Sequence, residues 1–157
     1  MATRRGSDLH EAVSTFSSLL KYRKGKNPGD AQKKASSDFP KRVSQSKLTL
    51  RKASDAVPRS GKHFIIGIAT YSADELNLLD QLENSLRNSA SRTPNVEVFD
   101  VLECDKMSDF ERFIPGLHGV VRTPVIGVIF DGKLIDHATG LSEVMSVLRR
   151  FDVLDQS

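Results

Sequence analysis

Cys104 is the single cysteine of the chain, so an intrachain disulfide cannot form and a metal site built from several thiolates is excluded. The four histidines, His10, His63, His118 and His137, are scattered and have no ligand spacing with one another or with Cys104. PGLHG at 115–119 is too short for a phosphate loop and precedes the wrong elements. No Ser-His-Asp set is specified either, because such a triad is a matter of geometry. The chemistry these residue types do supply is ionic. Arg4, Arg5, Lys21, Arg23, Lys24, Lys33, Lys34, Lys41, Arg42, Arg51 and Lys52 crowd the first 62 residues. Cations at that density can meet phosphates or an acidic protein surface.

The charge is unevenly divided. Residues 1–62 hold 15 Lys or Arg against 5 Asp or Glu, which is +10, and residues 63–157 hold 8 against 15, which is −7. The two sum to +3, so a mild net charge covers a basic arm beside an acidic domain. The arm has only Phe16, Tyr22 and Phe39 as aromatics, a poor supply for stacking on bases. It suits contact with a polyanion, an acidic partner or its own domain.

Within the arm, Leu9, Val13, Phe16 and Leu20 recur at spacings of four, three and four, which predicts an amphipathic helix over about 9–22. Ser7 or Asp8 can cap it, and Gly25 to Pro28 stop it. Residues 25–61 are polar, basic and rich in Ser, Ala and Lys, with prolines at 28, 40 and 58. Such a stretch cannot bury enough surface to offset its ordering entropy, so it is expected to be largely disordered by itself. Within it, SKLTLRK at 46–52 can add as a strand to a partner's sheet edge.

The pattern changes at His63. FIIGIAT at 64–70 is an apolar, β-branched run of the kind covered on both faces of a sheet. Ser72 and Glu75 form a capping box that opens a helix to about Asn88, with Leu76, Leu79, Leu82, Leu86 and Leu78 facing inward. VEVFDVL at 96–102 is a second strand. Ser108 and Glu111 cap a short helical segment, DFERFI, ended by Pro115-Gly116. VIGVIF at 125–130, the Asp131-Gly132 turn and KLIDHA at 133–138 read as a hairpin. A final helix runs from about Ser142 to Phe151, with Val144, Val147, Leu148 and Phe151 buried. The order is β-α-β-α-β-β-α. Strands joined through a helix run parallel and the hairpin pair antiparallel, which predicts an α/β fold with a mixed four-stranded sheet and helices on both faces. Domain organisation follows: an arm over 1–62, mostly extended with one short amphipathic helix, then a domain over 63–157 that folds alone. Alternation does not decide whether Asp100 is buried.

This order, ending in VVRTPVIGVIFDGKLIDHATG at 120–140, resembles the thioredoxin superfamily. The resemblance implies a cis peptide at Thr123-Pro124, a turn glycine at Gly132 and a closing glycine at Gly140. It also implies a peptide-binding surface around Tyr71, Ser72, Arg122, Thr123 and Pro124. The chain departs from the family where it matters for catalysis. Redox members carry at least one cysteine where the first core strand meets its helix, and here that junction reads Ala69-Thr70-Tyr71-Ser72-Ala73-Asp74. No dithiol or monothiol chemistry can run there, so the domain is expected to bind rather than catalyse. Glutathione transferases share the core and place a Tyr or Ser after the first strand, which Tyr71 or Ser72 would match. They also carry a following helical domain, and an acidic residue with Ser where this chain has His137-Ala138-Thr139-Gly140.

These features lead to a redox-inactive thioredoxin-like module without cofactor or metal, an adaptor or structural component anchored in a larger assembly by its basic arm. The alternatives are a nucleic-acid-associated protein that binds phosphates through the arm and a glutathione-dependent enzyme. No apolar run reaches the roughly 18–20 residues that cross a bilayer. The expected setting is the cytoplasm, a reducing compartment. Organelle import is the alternative, since the basic, Ser-containing first 26 residues can form an amphipathic helix, although Asp8 and Glu11 count against a transit peptide.

Overall fold

The apolar run after Gly61 is a strand in the computed structural model, which describes residues 30–88, 94–119 and 122–155. Lys62–Ile68 (β2) lies at the centre of the sheet. It pairs in parallel with Asn95–Asp100 (β3) and antiparallel with Val125–Phe130 (β4). Lys133–Thr139 (β5) closes one edge against β4. Thr49–Leu50 (β1) closes the other, parallel to β3. The fold is α/β, with a mixed sheet in the order β1-β3-β2-β4-β5.

Residues of β2 alternate between two apolar clusters, as strand geometry requires. Phe64, Ile66 and Ile68 face Ala73–Arg87 (α2) and Leu141–Arg150 (α4), with Leu78, Leu79, Leu82, Leu86, Val144 and Leu148 in that cluster. Phe151 closes it, its ring edge-on to Phe64 at 5.6 Å between centroids. Leu76 is only partly buried. Ile65 and Ala69 face the other way, onto Phe99, Phe110, Phe113 and Ile114 around the one-turn helix Phe110–Phe113 (α3). Helices thus cover both faces, heavily on one side and with a single turn on the other.

Four strands were expected and the sheet of the described residues has five, because the part of the basic segment from Asp30 to Leu50 is not the extended arm its composition suggests. Asp30–Ser44 is a helix (α1). Pro40 sits inside it and cannot donate to the carbonyl four residues back. Packing holds it instead. Phe39 and Val43, four apart on one face, enter the α2/α4 cluster with Leu48. Each such burial is worth about 1.5–3 kcal/mol. The strand propensity of 46–52 is realised on the chain's own sheet, where Thr49 pairs with Glu97 and Leu50 with Val98. The predicted helix over 9–22 lies outside the described residues.

Two local expectations also change. The segment from Val101 to Pro124 contains a helix yet does not preserve strand direction. Phe99 and Val125 both flank Gly67, so β4 begins at the sheet end where β3 stops and runs back beside β2. Gly67 is required there, since a Cβ would lie 2.6 Å from the Phe99 ring and 2.9 Å from Val125. The Ser108–Glu111 box is replaced by the Asp109 carboxylate, which accepts from the backbone N–H groups of Asp105 (2.8 Å) and Lys106 (3.2 Å). The β4–β5 hairpin forms at Asp131-Gly132 with both residues at positive φ, the backbone that an Asp-Gly pair tolerates best.

Candidate functional site

Tyr71, Ser72, Arg122, Thr123 and Pro124 come from two loops at the same end of the sheet, where β2 runs into α2 and where Val101–Pro124 runs into β4. Ser72 caps α2 through Oγ, which accepts from the Glu75 N–H at 3.4 Å. In a capping box the Glu75 carboxylate would return to the Ser72 N–H. Here it reaches further: Oε1 accepts from the Ala69 N–H at 2.9 Å, and Oε2 accepts from the Thr123 hydroxyl at 3.1 Å. One side chain on the first turn of α2 therefore fastens the end of β2 to the loop that opens β4.

Glu75 is buried, 7% exposed. Burial pushes its carboxyl up to about 7, outweighing the two hydrogen bonds that favour the ionised form, while Asp74 adds negative potential. Thr70, which follows Ala69, donates its hydroxyl to Asp100 Oδ2 at 3.1 Å. The same oxygen accepts from Ser36 Oγ on α1 at 2.8 Å, and Oδ1 accepts from the Leu102 N–H at 3.0 Å. Asp100 is buried at the end of β3, which alternation had left open. Its bonds connect the site to the basic segment.

The remaining site residues differ in exposure. Pro124 is buried behind a cis Thr123–Pro124 peptide bond, and its carbonyl accepts from the Gly140 N–H at 2.8 Å. Thr123 and Ser72 are half-buried and Arg122 is exposed. The Arg122 stem crosses Gly140, where a Cβ would lie 2.9 Å from Cδ. Tyr71 is half-buried against the Phe99 cluster. Cys104 belongs to that cluster and is fully buried. Its thiol is pushed up to about 12, by burial first and then by Asp109, Glu103, Asp100 and Asp105.

Among the described residues, the basic candidates do not form one surface. Lys34, Lys41 and Lys52 are exposed. Arg42 is paired across the α1–α2 contact with Asp80 and, at 2.7 Å, with Glu83. Arg51 is a correction to the expectation of a polyanion contact: it is 2% exposed. Its Nε donates to the Phe113 carbonyl at 2.9 Å, and Nη1 reaches the Ala56 carbonyl at 3.1 Å and Glu97 at 3.2 Å. An arginine so enclosed organises the fold and cannot also clasp a phosphate. Arg4, Arg5, Lys21, Arg23, Lys24 and the Lys33 side chain lie outside the described residues.

Glu75 is the residue of this candidate site whose reach pattern reading undervalued. Its place in the S-x-x-E motif was visible, but the motif assigns its carboxylate to the wrong N–H. Among the described residues, no group of three or more His, Cys, Asp or Glu is placed to hold a metal ion, and no helix is long and apolar enough to cross a membrane. No model of a known protein family and no curated protein matches this chain.

Proposed function

We propose that the chain is a redox-inactive thioredoxin-like binding module that takes an extended segment of a protein partner at the Tyr71–Ser72 and Arg122–Pro124 surface. The observation that carries this reading is the Glu75 bridge. By holding Ala69 and Thr123 together, it makes one preorganised edge from two loops. Preorganisation of that kind lowers the ordering cost of binding, and an extended peptide needs little more than backbone groups along such an edge. The thiol-free junction supports binding over redox turnover, as does a Cys104 thiol that stays protonated and enclosed.

In this reading the basic segment anchors the module within an assembly. Of the described candidate cations, Lys34, Lys41 and Lys52 are exposed for that contact. A second reading, nucleic-acid association through the same segment, draws on the +10 charge of residues 1–62. It is weakened by the internal commitments of Arg42 and Arg51.

The test is affinity capture from native cell extract with the full chain and with Thr123→Arg, each with and without nuclease, across a salt series. A defined protein complex that survives nuclease and is lost with Thr123→Arg supports the partner-binding reading. Recovery that needs intact nucleic acid, falls with salt and ignores Thr123→Arg replaces it with the second.

A further inference from the structure

Thr123 has one hydroxyl hydrogen, and it is committed: Oγ1 donates to Glu75 Oε2 at 3.1 Å. A hydroxyl whose hydrogen is taken by a carboxylate can offer a ligand only its lone pairs. The second carboxylate oxygen is held by the Ala69 N–H at 2.9 Å, so Oε1 remains the acceptor in either protonation state and a proton arriving on Glu75 belongs on Oε2. There it would donate to Thr123 Oγ1. The Thr123 hydrogen would then turn outward, free for a ligand acceptor.

We infer that Glu75 is a specificity-determining residue of the proposed binding edge: ionised, it makes Thr123 an acceptor for ligand N–H donors, and protonated, it makes Thr123 a donor for ligand carbonyls. This rests on the partner-binding reading of the Thr123 edge. The step moves one proton from solvent to Glu75 Oε2 and reverses one hydrogen bond, with no heavy atom displaced. Burial places this exchange near neutral pH, since the Glu75 carboxyl is pushed up to about 7. Each neighbouring element carries charged or titratable groups, of which Asp74 acts on the Glu75 carboxyl. Asp74 adds negative potential from the same helix. The end of β2 brings Tyr71, with Asp100 beyond Thr70. The Thr123 loop brings Arg122, whose stem lies against Gly140, and the first turn of α4 carries Glu143.

Glutamine at position 75 reproduces the protonated form at every pH, because its carbonyl can accept from Ala69 while its amide donates to Thr123. The first arm of the test is carboxyl and methyl NMR of the full chain from pH 5 to 9. Glu75 Cδ and the Thr123 side-chain signals should titrate with one midpoint, and in Glu75→Gln the Thr123 signals should stay at their low-pH positions. Thr123 signals that ignore Glu75, or a Glu75→Gln variant resting at the high-pH positions, would overturn the inference. The second arm is an array of extended decapeptides in which single amides are replaced by esters, removing one N–H at a time. At pH 8 the best wild-type ligand should lose about tenfold in affinity at one ester position, the value of one hydrogen bond. Glu75→Gln should lose a similar factor for the parent peptide and be indifferent to that ester. If peptides are held through Thr123 but wild type and Glu75→Gln share one pH profile, the polarity switch fails and the binding reading stands. If no peptide is held in a way that Thr123→Val alters at either pH, the binding reading fails and the specificity role falls with it, whatever the titration gives.

Discussion

Arg51 Nε donates to the carbonyl oxygen of Phe113 at 2.9 Å, across 62 positions of the chain. The bond ties the end of the short edge strand on one side to the one-turn helix on the other. The Arg51 backbone N–H meanwhile continues the sheet by donating to the Val98 carbonyl at 2.8 Å. Glu97 is held between Arg51 and His63, with His63 Nδ1 at 3.3 Å. A residue that composition assigns to a solvated basic arm is thus a central fastening of the fold.

Replacing Arg51 with Met should leave the Phe113 and Ala56 carbonyls and part of the Glu97 carboxylate without their donors. The expected cost is about 3–5 kcal/mol, typical of breaking a buried ionic network. Arg51→Lys should recover less than half of it, since one ammonium cannot span the three acceptors. Urea unfolding at pH 7 measures both. A loss under about 1 kcal/mol for Arg51→Met would show that the network contributes little.

Of two deletions, one of residues 1–29 and one of residues 1–62, the second should melt far lower and bind an apolar dye. The second deletion strips Phe39, Val43 and Leu48 from the core. At about 1.5–3 kcal/mol each, their loss approaches the whole stability of a small domain. Equal midpoints for the two deletions would refute this. Here the sequence reading, in which 63–157 folds alone, and the packing around α1 lead to different outcomes. Pattern recognition missed α1 because a prolonged apolar stripe is its usual signal. Two apolar residues four apart suffice when a sheet edge and two helices already wait for them.

The stability of the protein should fall as pH rises through the range where Glu75 ionises. Its carboxyl ionises near 4.5 when unfolded and is pushed up to about 7 in the fold, chiefly by burial. Between those values the folded chain binds the extra proton, so this contribution is complete below about 4.5 and is lost as pH rises through 7. Glu75→Gln has no proton to lose. It should therefore gain on wild type from pH 4.5 upward, by at most about 3 kcal/mol at pH 8. Denaturant midpoints of the two proteins across that range decide it, and a gap that does not vary with pH would contradict the assignment.

Cys104 should resist thiol reagents in the native protein. It is fully buried, and its thiol is pushed up to about 12 by burial and four surrounding carboxylates. Labelling with a maleimide at pH 7.5 should be slower than for an unfolded control by at least about a hundredfold, at a rate set by opening of the fold. Rapid labelling of the folded chain would mean that the Phe99 cluster is more open than its packing implies.

By itself the sequence determined the strand–helix–strand unit from β2 to β3, the β4–β5 hairpin and the helices α2 and α4. Each is written in local terms, as an apolar run, an S-x-x-E cap, a 3.6-residue stripe or an Asp-Gly turn, and local terms survive folding. It also determined that no thiol stands at the β2–α2 junction. Only the tertiary structure decided the fifth strand, the direction of β4, the burial of Asp100 and the partners of Arg51 and Glu75. Those depend on which groups from distant segments exclude water together. An arginine reads as a surface cation, and a capping glutamate as a local device, until packing removes solvent and supplies particular carbonyls, amides and a hydroxyl in its place.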